Sequence, residues 1–536
     1  MVGKSKKMFW ADKIVEKIKI EHKDKIQAKE PLVIRDEKTS SGRVHVGSMR
    51  GVAVHGVVSE ILYEEEIANT FLYEINDFDP MDGMPSYLDE KEFGKYMGQP
   101  LCTVPSPDGK AKNFAEYYAD EYKKVIEETG FTPEFYYSSD LYISGKMNEV
   151  IQQALENADT IRKIYKKVSG SDKPDDWLPI SVVCEECGKI GTTKATSFDG
   201  EKVSYICEKD MVSWAKGCGQ SGSISPYNGN AKLPWKVEWA AKFKVVKVDI
   251  EGGGKDHSTK GGARDVANHI AREVFDYQPP FDIPYEFFLV GGKKMSSSKG
   301  SGSSAYEIGQ LLPPTIFRLA LLGKNPKQTI DFIPDGDTIP TLFDRYDTIA
   351  QKYFENVDDD DARLFSLTHL PHERASLVER FLPRFSLISF IAQMPHMDAY
   401  EEVIKMKGDV LTDEDTTELR LRLDYAQRWL DTYAPENFKY ELQTDTVPER
   451  ALTFSDTQKS ALRNVLEYTQ SQKTLDGQEL HSKLHEIRAE AEIEPKDFFT
   501  ALYITFLDKE SGPKAGWFLS VLDKAFLERR LDDVSQ

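Results

Sequence analysis

The sequence predicts an α/β protein: a doubly wound parallel-sheet domain carrying a small cysteine-bearing insert, followed by an all-helical C-terminal domain. Three observations predict it. Short apolar runs alternate with helical periodicity over the first three hundred residues. One turn-rich stretch holding four of the five cysteines breaks that alternation. Beyond about residue 330 the strand signals give out, and amphipathic segments with Ser or Asp start signals take over.

Taken in order, "PLVIRD" reads as a buried strand, and a polar, glycine-studded turn, "KTSSGRVHVGSMRG", leads from it into the helix "VAVHGVVSEILYEEE". "NTFLYEIND" is a second strand, "NFAEYYADEYKKVIEETG" a helix stopped by Gly130, and "FTPEFYYSS" a third strand. "KMNEVIQQALENADTIRKIYKKV" is expected as one helix. The cysteine-rich stretch follows, and alternation resumes with "AKFKVVKVDIEGGG", the helix "GARDVANHIAREVF" and the strand "YEFFLVGG". "ASLVERFLPRFSLISFIAQM", "DTTELRLRLDYAQRWLDTY", "SDTQKSALRNVLEYTQ" and "GQELHSKLHEIRAEAE" are expected as helices of the C-terminal domain. The boundaries expected are 1–330 for the sheet domain with its insert at 176–225, 331–375 for a connecting region, and 376–536 for the helical domain.

At 536 residues the chain exceeds one ordinary core. Hydrophobic and charged fractions of 40% and 29% suit a globular protein, and no apolar run is long enough to cross a bilayer. The N-terminus lacks a signal-peptide core, and five cysteines make no disulfide scaffold, so a cytoplasmic location is expected with no membrane partner. A net charge of −20 argues against indiscriminate nucleic-acid binding and DNA as a partner, but leaves room for one structured RNA. "ADTIRKIYKKVSG" and "RFLPR" are either basic patches or solvated helix faces, and Asp358 to Asp361 read as a loop or helix start.

A glycine-rich turn between strand and helix lets the backbone approach a phosphate, which the helix N-terminus then attracts. Gly42 and Gly47 permit the approach, and His45 adds a donor that can follow charge building on phosphorus. A second fragment, "YEFFLVGGKKMSSSKGSGSSAYEIG", repeats the pattern with Lys293, Lys294 and Lys299 as cations and Ser296, Ser297 and Ser298 as small donors. Each alone also reads as a plain connection; together they suit a pentavalent transition state and a leaving pyrophosphate. Cys184, Cys187, Cys207 and Cys218 fit a structural zinc module, opened by a C-x-x-C knuckle, that would fold an insert with no core of its own. Asp210 is a fallback ligand, and Cys102 reads as an unpaired core thiol.

"SGRVHVGS" and "KMSSSKG" resemble the two ATP-binding signatures of class I aminoacyl-tRNA synthetases. "MFWADKIVEKI", "LPWKVEWAAKF", "VDIEGGGKDHSTKGGARDVANHI" and "IPYEFFLVGGKKMSSSKG" narrow the likeness to the class I lysyl-tRNA synthetases, over roughly the first 330 residues. The resemblance implies a Rossmann-like catalytic domain, an anticodon-binding helical domain, and activation of L-lysine by ATP and Mg2+ before transfer to tRNA(Lys); nothing in the sequence demands more than a monomer. It implies His45, Lys294 and Lys299 as catalytic groups, with Ser41, Gly42, Gly47, Ser48, Met295, Ser296, Ser297 and Ser298 completing the ATP site. It further implies a lysine pocket of Thr39, Trp235, His257, Tyr285 and Glu37, with Asp36, Asp256 and Glu286 as nearby acids. Ser40 stands where the family commonly has proline, Ser297 where other class I enzymes often have lysine, and Glu37 where some relatives have a small residue. The alternatives are a synthetase for glutamate or glutamine, a nucleotidyltransferase that does not use RNA, and a non-catalytic RNA-binding relative.

Overall fold

The computed structural model describes residues 8–292, 303–394 and 397–536. The chain forms two compact units, one of residues up to Phe332 with Ile349–Ser376, the other of Ile333–Thr348 with Leu377–Gln536.

The first unit is built on parallel strands. β1 (Leu32–Thr39) pairs with β2 (Asn69–Asn76) over its whole length, Leu32 opposite Asn69 and Thr39 opposite Asn76. β2 pairs in parallel with β3 (Glu134–Tyr137). On the other side of β1, Ile34 bridges Ile250 and Ile250 bridges Phe281, both in parallel. The same two segments pair again at Gly253–Gly254 with Pro284–Tyr285 in unchanged register. The order is therefore β3, β2, β1, the 250–254 segment, the 281–285 segment, a doubly wound order with its switch point beside β1. Helix Met49–Glu64 follows β1 and is buried along nearly its whole length, as a helix lying on a sheet must be.

Two expectations in this unit are corrected. "KMNEVIQQALENADTIRKIYKKV" is two helices, Asn148–Glu156 and Ala158–Ser169, with Asn157 closing the first and opening the second. "AKFKVV" belongs to the helix Trp235–Val246, which Lys247 ends in left-handed geometry; only the segment after it joins the sheet. Lys242 and Glu238, four residues apart, meet on that helix, an interaction a strand would not offer.

The cysteine-rich stretch is a module of short antiparallel strands, Thr193–Phe198, Val203–Cys207 and Ser221–Ile224. It is tied to the loop after β2: Gly98 C=O accepts from the backbone of Ile190 (2.7 Å) and Gly191 (3.0 Å), and Gln99 Nε2 donates to Cys187 O (2.9 Å).

The second unit is helical. Helices Asp456–Ser471 and Gly477–Glu490 begin on the caps Ser455 and Asp476, as the start signals predict, whereas Asp413–Thr432 begins on the cap Thr412, three residues ahead of the expected Asp415. "ASLVERFLPRFSLISFIAQM" differs: of this stretch only Phe385–Ile391 forms an α-helix. Pro383 removes an amide donor and disfavours helix at the residue before it, so the helix starts after it. "RFLPR" is no free basic patch, since Arg380 pairs with Glu418 (3.2 Å) and Arg384 with Asp344 (2.7 Å). In the first unit, the Asp358 to Asp361 run is a helix start: the Asp359 carboxylate accepts from the amides of Asp361 and Ala362, capping Asp360–Thr368.

Candidate active site

The carboxyl ends of β1, the 250–254 segment and the 281–285 segment open into one cleft of about 620 Å³. Thr39, Ser41, His45, Gly47, Ser48, Trp235, His257, Tyr285 and Glu37 all line it. Gly42 is not among the lining residues; its φ of 151° sets the turn that carries Ser41 and His45 there. Lys294, Met295, Ser296, Ser297, Ser298 and Lys299 lie outside the described residues. Leu289, three residues before Gly292, lines the cleft. On the other flank, Ser303 C=O accepts from Val46 N–H (3.2 Å) and Ala305 N–H donates to Val44 O (2.8 Å), holding the chain against the His45 turn.

Glycine is required at two points. A Cβ on Gly47 would fall 3.0 Å from Phe288 O and 2.9 Å from His45 Nδ1, so the absence of a side chain seats this turn against the late strand. A Cβ on Gly252 would fall 2.1 Å from Ile283 O. The helix Met49–Glu64 starts directly after the turn, bringing its N-terminal dipole to the cleft.

One wall is aromatic. Trp235 stacks on Trp239 (5.8 Å, 14°), and His257 stands edge-on to Trp235 at 5.0 Å and to Trp239 at 6.2 Å. Behind the floor lies a buried charge network. Arg35, fully buried, donates to Glu251 (2.7 Å), Glu74 (2.7 Å) and Glu37, and through Nε to Tyr136 Oη (2.8 Å). Lys242 binds Glu74 and Glu238, and Lys232 binds Glu238 and Asp79 (3.1 Å). Thr39 Oγ1 donates to Asp79 Oδ2 (2.8 Å), and Trp239 Nε1 to Glu251 (2.5 Å). Burial pushes the Glu37 carboxyl up to about 7 against the pull of Arg35. Burial works the same way on Glu74, but Lys242 and Arg35 outweigh it and hold that carboxyl well below its usual range.

Among the described residues, Lys38 is the single lysine or arginine lining the cleft, against seven acids, Asp36, Glu37, Asp79, Asp82, Glu251, Asp256 and Glu286. Burial lowers the Lys38 ammonium below its ordinary pKa. Lys38, Asp79, Asp82 and Trp239 are cleft residues that sequence reading left out. "NDFDPMDG", acidic and directly after β2, is the signal that could have found Asp79, since ligands of open parallel sheets bind beyond the strand ends.

The four thiols Cys184, Cys187, Cys207 and Cys218 come together in the insert, every Sγ within 4.8 Å of the others. Cys184 and Cys218 are 3.6 Å apart, Cys187 and Cys207 3.7 Å. Tetrahedral zinc with Zn–S bonds of about 2.3 Å places sulfurs about 3.8 Å apart, so the donor set fits that ion. Cys218 rather than Asp210 completes the set. Cys102 stands outside it, half-buried, its thiol pushed up to about 12 by burial.

A parallel sheet of this order, with a histidine-bearing glycine turn seated against the late strand and an acidic, aromatic-walled cleft between them, agrees with the class I aminoacyl-tRNA synthetase resemblance. The family described as "tRNA synthetases class I (K)" matches residues 8–373, and the chain belongs to that family. Similar proteins include a lysine–tRNA ligase of Methanosarcina barkeri strain Fusaro, 31% identical over 548 residues and covering 98% of both chains. Those of Methanocaldococcus jannaschii (31%; 98% of this chain and 99% of the relative) and Thermoplasma acidophilum (29%, with the same coverage) are comparable.

Proposed function

We propose that this protein activates L-lysine with ATP and transfers it to tRNA(Lys). A lysine carboxylate oxygen attacks the α-phosphorus, the bond to the β-phosphate oxygen breaks, and pyrophosphate leaves. The terminal ribose hydroxyl of the tRNA then takes the lysyl group from the adenylate and AMP departs. No protein nucleophile enters either step; catalysis is positioning and charge stabilisation. His45, Ser41, Ser48 and the backbone at Gly42 and Gly47 hold the triphosphate at the helix N-terminus. Lys294, Met295, Ser296, Ser297, Ser298 and Lys299 complete the ATP site in this reading, with His45, Lys294 and Lys299 meeting the transition-state charge. The cleft is acidic, so ATP would be taken with Mg2+, which would screen its phosphates there. Thr39, Trp235, His257, Tyr285 and Glu37 surround the amino acid. The four cysteines hold a structural zinc ion that fastens the insert, and the helical unit binds the anticodon.

The observation that carries this reading is the shared cleft: the early phosphate turn and the expected amino-acid pocket line a single cavity. A glutamate-activating enzyme would need a cation to meet the substrate carboxylate, whereas this wall presents seven carboxylates and one lysine among the described residues. ATP–pyrophosphate exchange measured across the twenty amino acids tests it. Exchange with lysine, and charging of tRNA(Lys), is the expected result. Exchange with another amino acid alone, or with none added, overturns it.

A further inference from the structure

The turn that carries Ser41 and His45 into the cleft has a second side. Arg43, between them in sequence, lines a different cavity of about 450 Å³, which shares no wall residue with the cleft. The loop after β2 runs past both: Asp79 and Asp82 line the cleft, and Tyr87 and Glu92 line the cavity. Nothing in the adenylation chemistry above uses this second space.

Its walls are aromatic. Tyr118, 2% exposed, stands edge-on to Tyr117 at 4.9 Å and lies 6.2 Å from Tyr87, so a buried ring backs the two outer ones. Tyr87 is 46% exposed, and its hydroxyl accepts from the backbone N–H of Arg43 (2.7 Å), which pins the ring to the turn. The Arg43 guanidinium stands 5.8 Å from the centre of the same ring and is half-exposed. Its two acids, Glu121 and Glu307, are each 3.7 Å away, beyond hydrogen-bond distance, so its N–H groups remain open to a phosphate. Asp89 is committed to capping the helix Glu90–Phe93, whereas the Glu92 carboxylate makes no hydrogen bond or ion pair among the described residues.

Resting on the lysine reading, the terminal ribose of the tRNA meets the adenylate inside the cleft, so the strand behind it leaves over the rim. Unpaired strands are held by stacking bases on aromatic rings and setting phosphates against cations. The rim made by the 41–45 turn and the loop after β2 offers both, with a cavity behind them. A cationic ligand would find Arg43 already standing over the ring, so the free partner of Tyr87 is a flat, neutral one. The geometry points to this cavity as the seat of the nucleobase that precedes the terminal adenosine of tRNA(Lys), stacked on Tyr87 with its phosphate on Arg43. Glu92 supplies an acceptor for the exocyclic amine of a cytosine there.

The test is steady-state charging of tRNA(Lys) by the full chain, with the KM for tRNA, ATP and lysine read separately. Y87A is expected to raise the tRNA KM about tenfold, as loss of one base–aromatic stack does, and to leave the other two within about twofold. Y87L, apolar but not aromatic, serves equally if Y87A does not fold. Y87F keeps the ring but loses the hydrogen bond to Arg43, and should match wild type. A tRNA with an abasic penultimate nucleotide should show the same loss with wild type, and Y87A should add nothing to it. An unchanged tRNA KM in Y87A overturns the assignment, as do losses that multiply in the abasic tRNA. A raised KM for ATP, or Y87F behaving like Y87A, overturns it too, by making Tyr87 a support of the phosphate turn. Failure of the wild type to charge tRNA(Lys) with lysine would instead sink the underlying reading.

Discussion

Arg35 and His45 sit ten residues apart in the chain, yet they carry opposite kinds of work. Arg35 is fully buried with three carboxylates and a phenol on its guanidinium, holding Glu37, Glu74 and Glu251 under the cleft floor. Removing it strands those charges, and breaking a buried pair in this way costs about 3–5 kcal/mol. Arg35→Met should therefore lower the melting temperature by several degrees or more and reduce soluble yield; a melting curve matching wild type would show that the network contributes nothing to stability. His45 lines the cleft, where its work is expected only as charge develops on phosphorus. His45→Ala should cut the kcat of pyrophosphate exchange about 100-fold or more while lysine affinity, read by direct binding, stays within about threefold. Equal losses in both would remove its assigned role.

Element by element, the sequence was most legible where one local signal sufficed. β1 and β2 stand where their apolar runs predict, and Ser455 and Asp476 cap the helices they announce. It was least legible where tertiary partners decide. The Trp235–Val246 helix ends in β-branched residues that suit a strand, but Glu238 and Lys242 on successive turns are drawn to Tyr142, Lys232 and Glu74. Arg35 in the middle of a buried strand makes sense only once Glu74 and Glu251, distant in sequence, come beside it. The cysteine module is the reverse case: the C-x-x-C was plain, but only the folded strands bring Cys207 and Cys218 to it. If zinc holds this module, Cys184→Ser should abolish bound zinc and lower the melting temperature, and a chelator should do the same to the wild type. Metal analysis and thermal melts check both; unchanged metal content and melting would remove zinc from the account.

Across the whole molecule, the cleft and everything expected to touch ATP and lysine belong to the first unit, while among the described residues the second contributes none of the lining. Amino-acid activation should then survive damage confined to the helical unit, and charging of tRNA should not, if that unit reads the anticodon. Trp429 offers a way to impose such damage in the intact chain. It is completely buried in the helical unit, donates its indole N–H to Pro334 O (3.1 Å), and packs on Phe385 and Phe438. Trp429→Ala removes a large core side chain at a cost of about 3–5 kcal/mol, enough to loosen one unit of a two-unit chain, since domains generally have cores of their own. The expected result is lysine-dependent pyrophosphate exchange within about twofold of wild type and tRNA charging reduced about tenfold or more. Were exchange to fall in step with charging, the two units would act as one cooperative body, and the division of labour between sheet and helices would have to be given up.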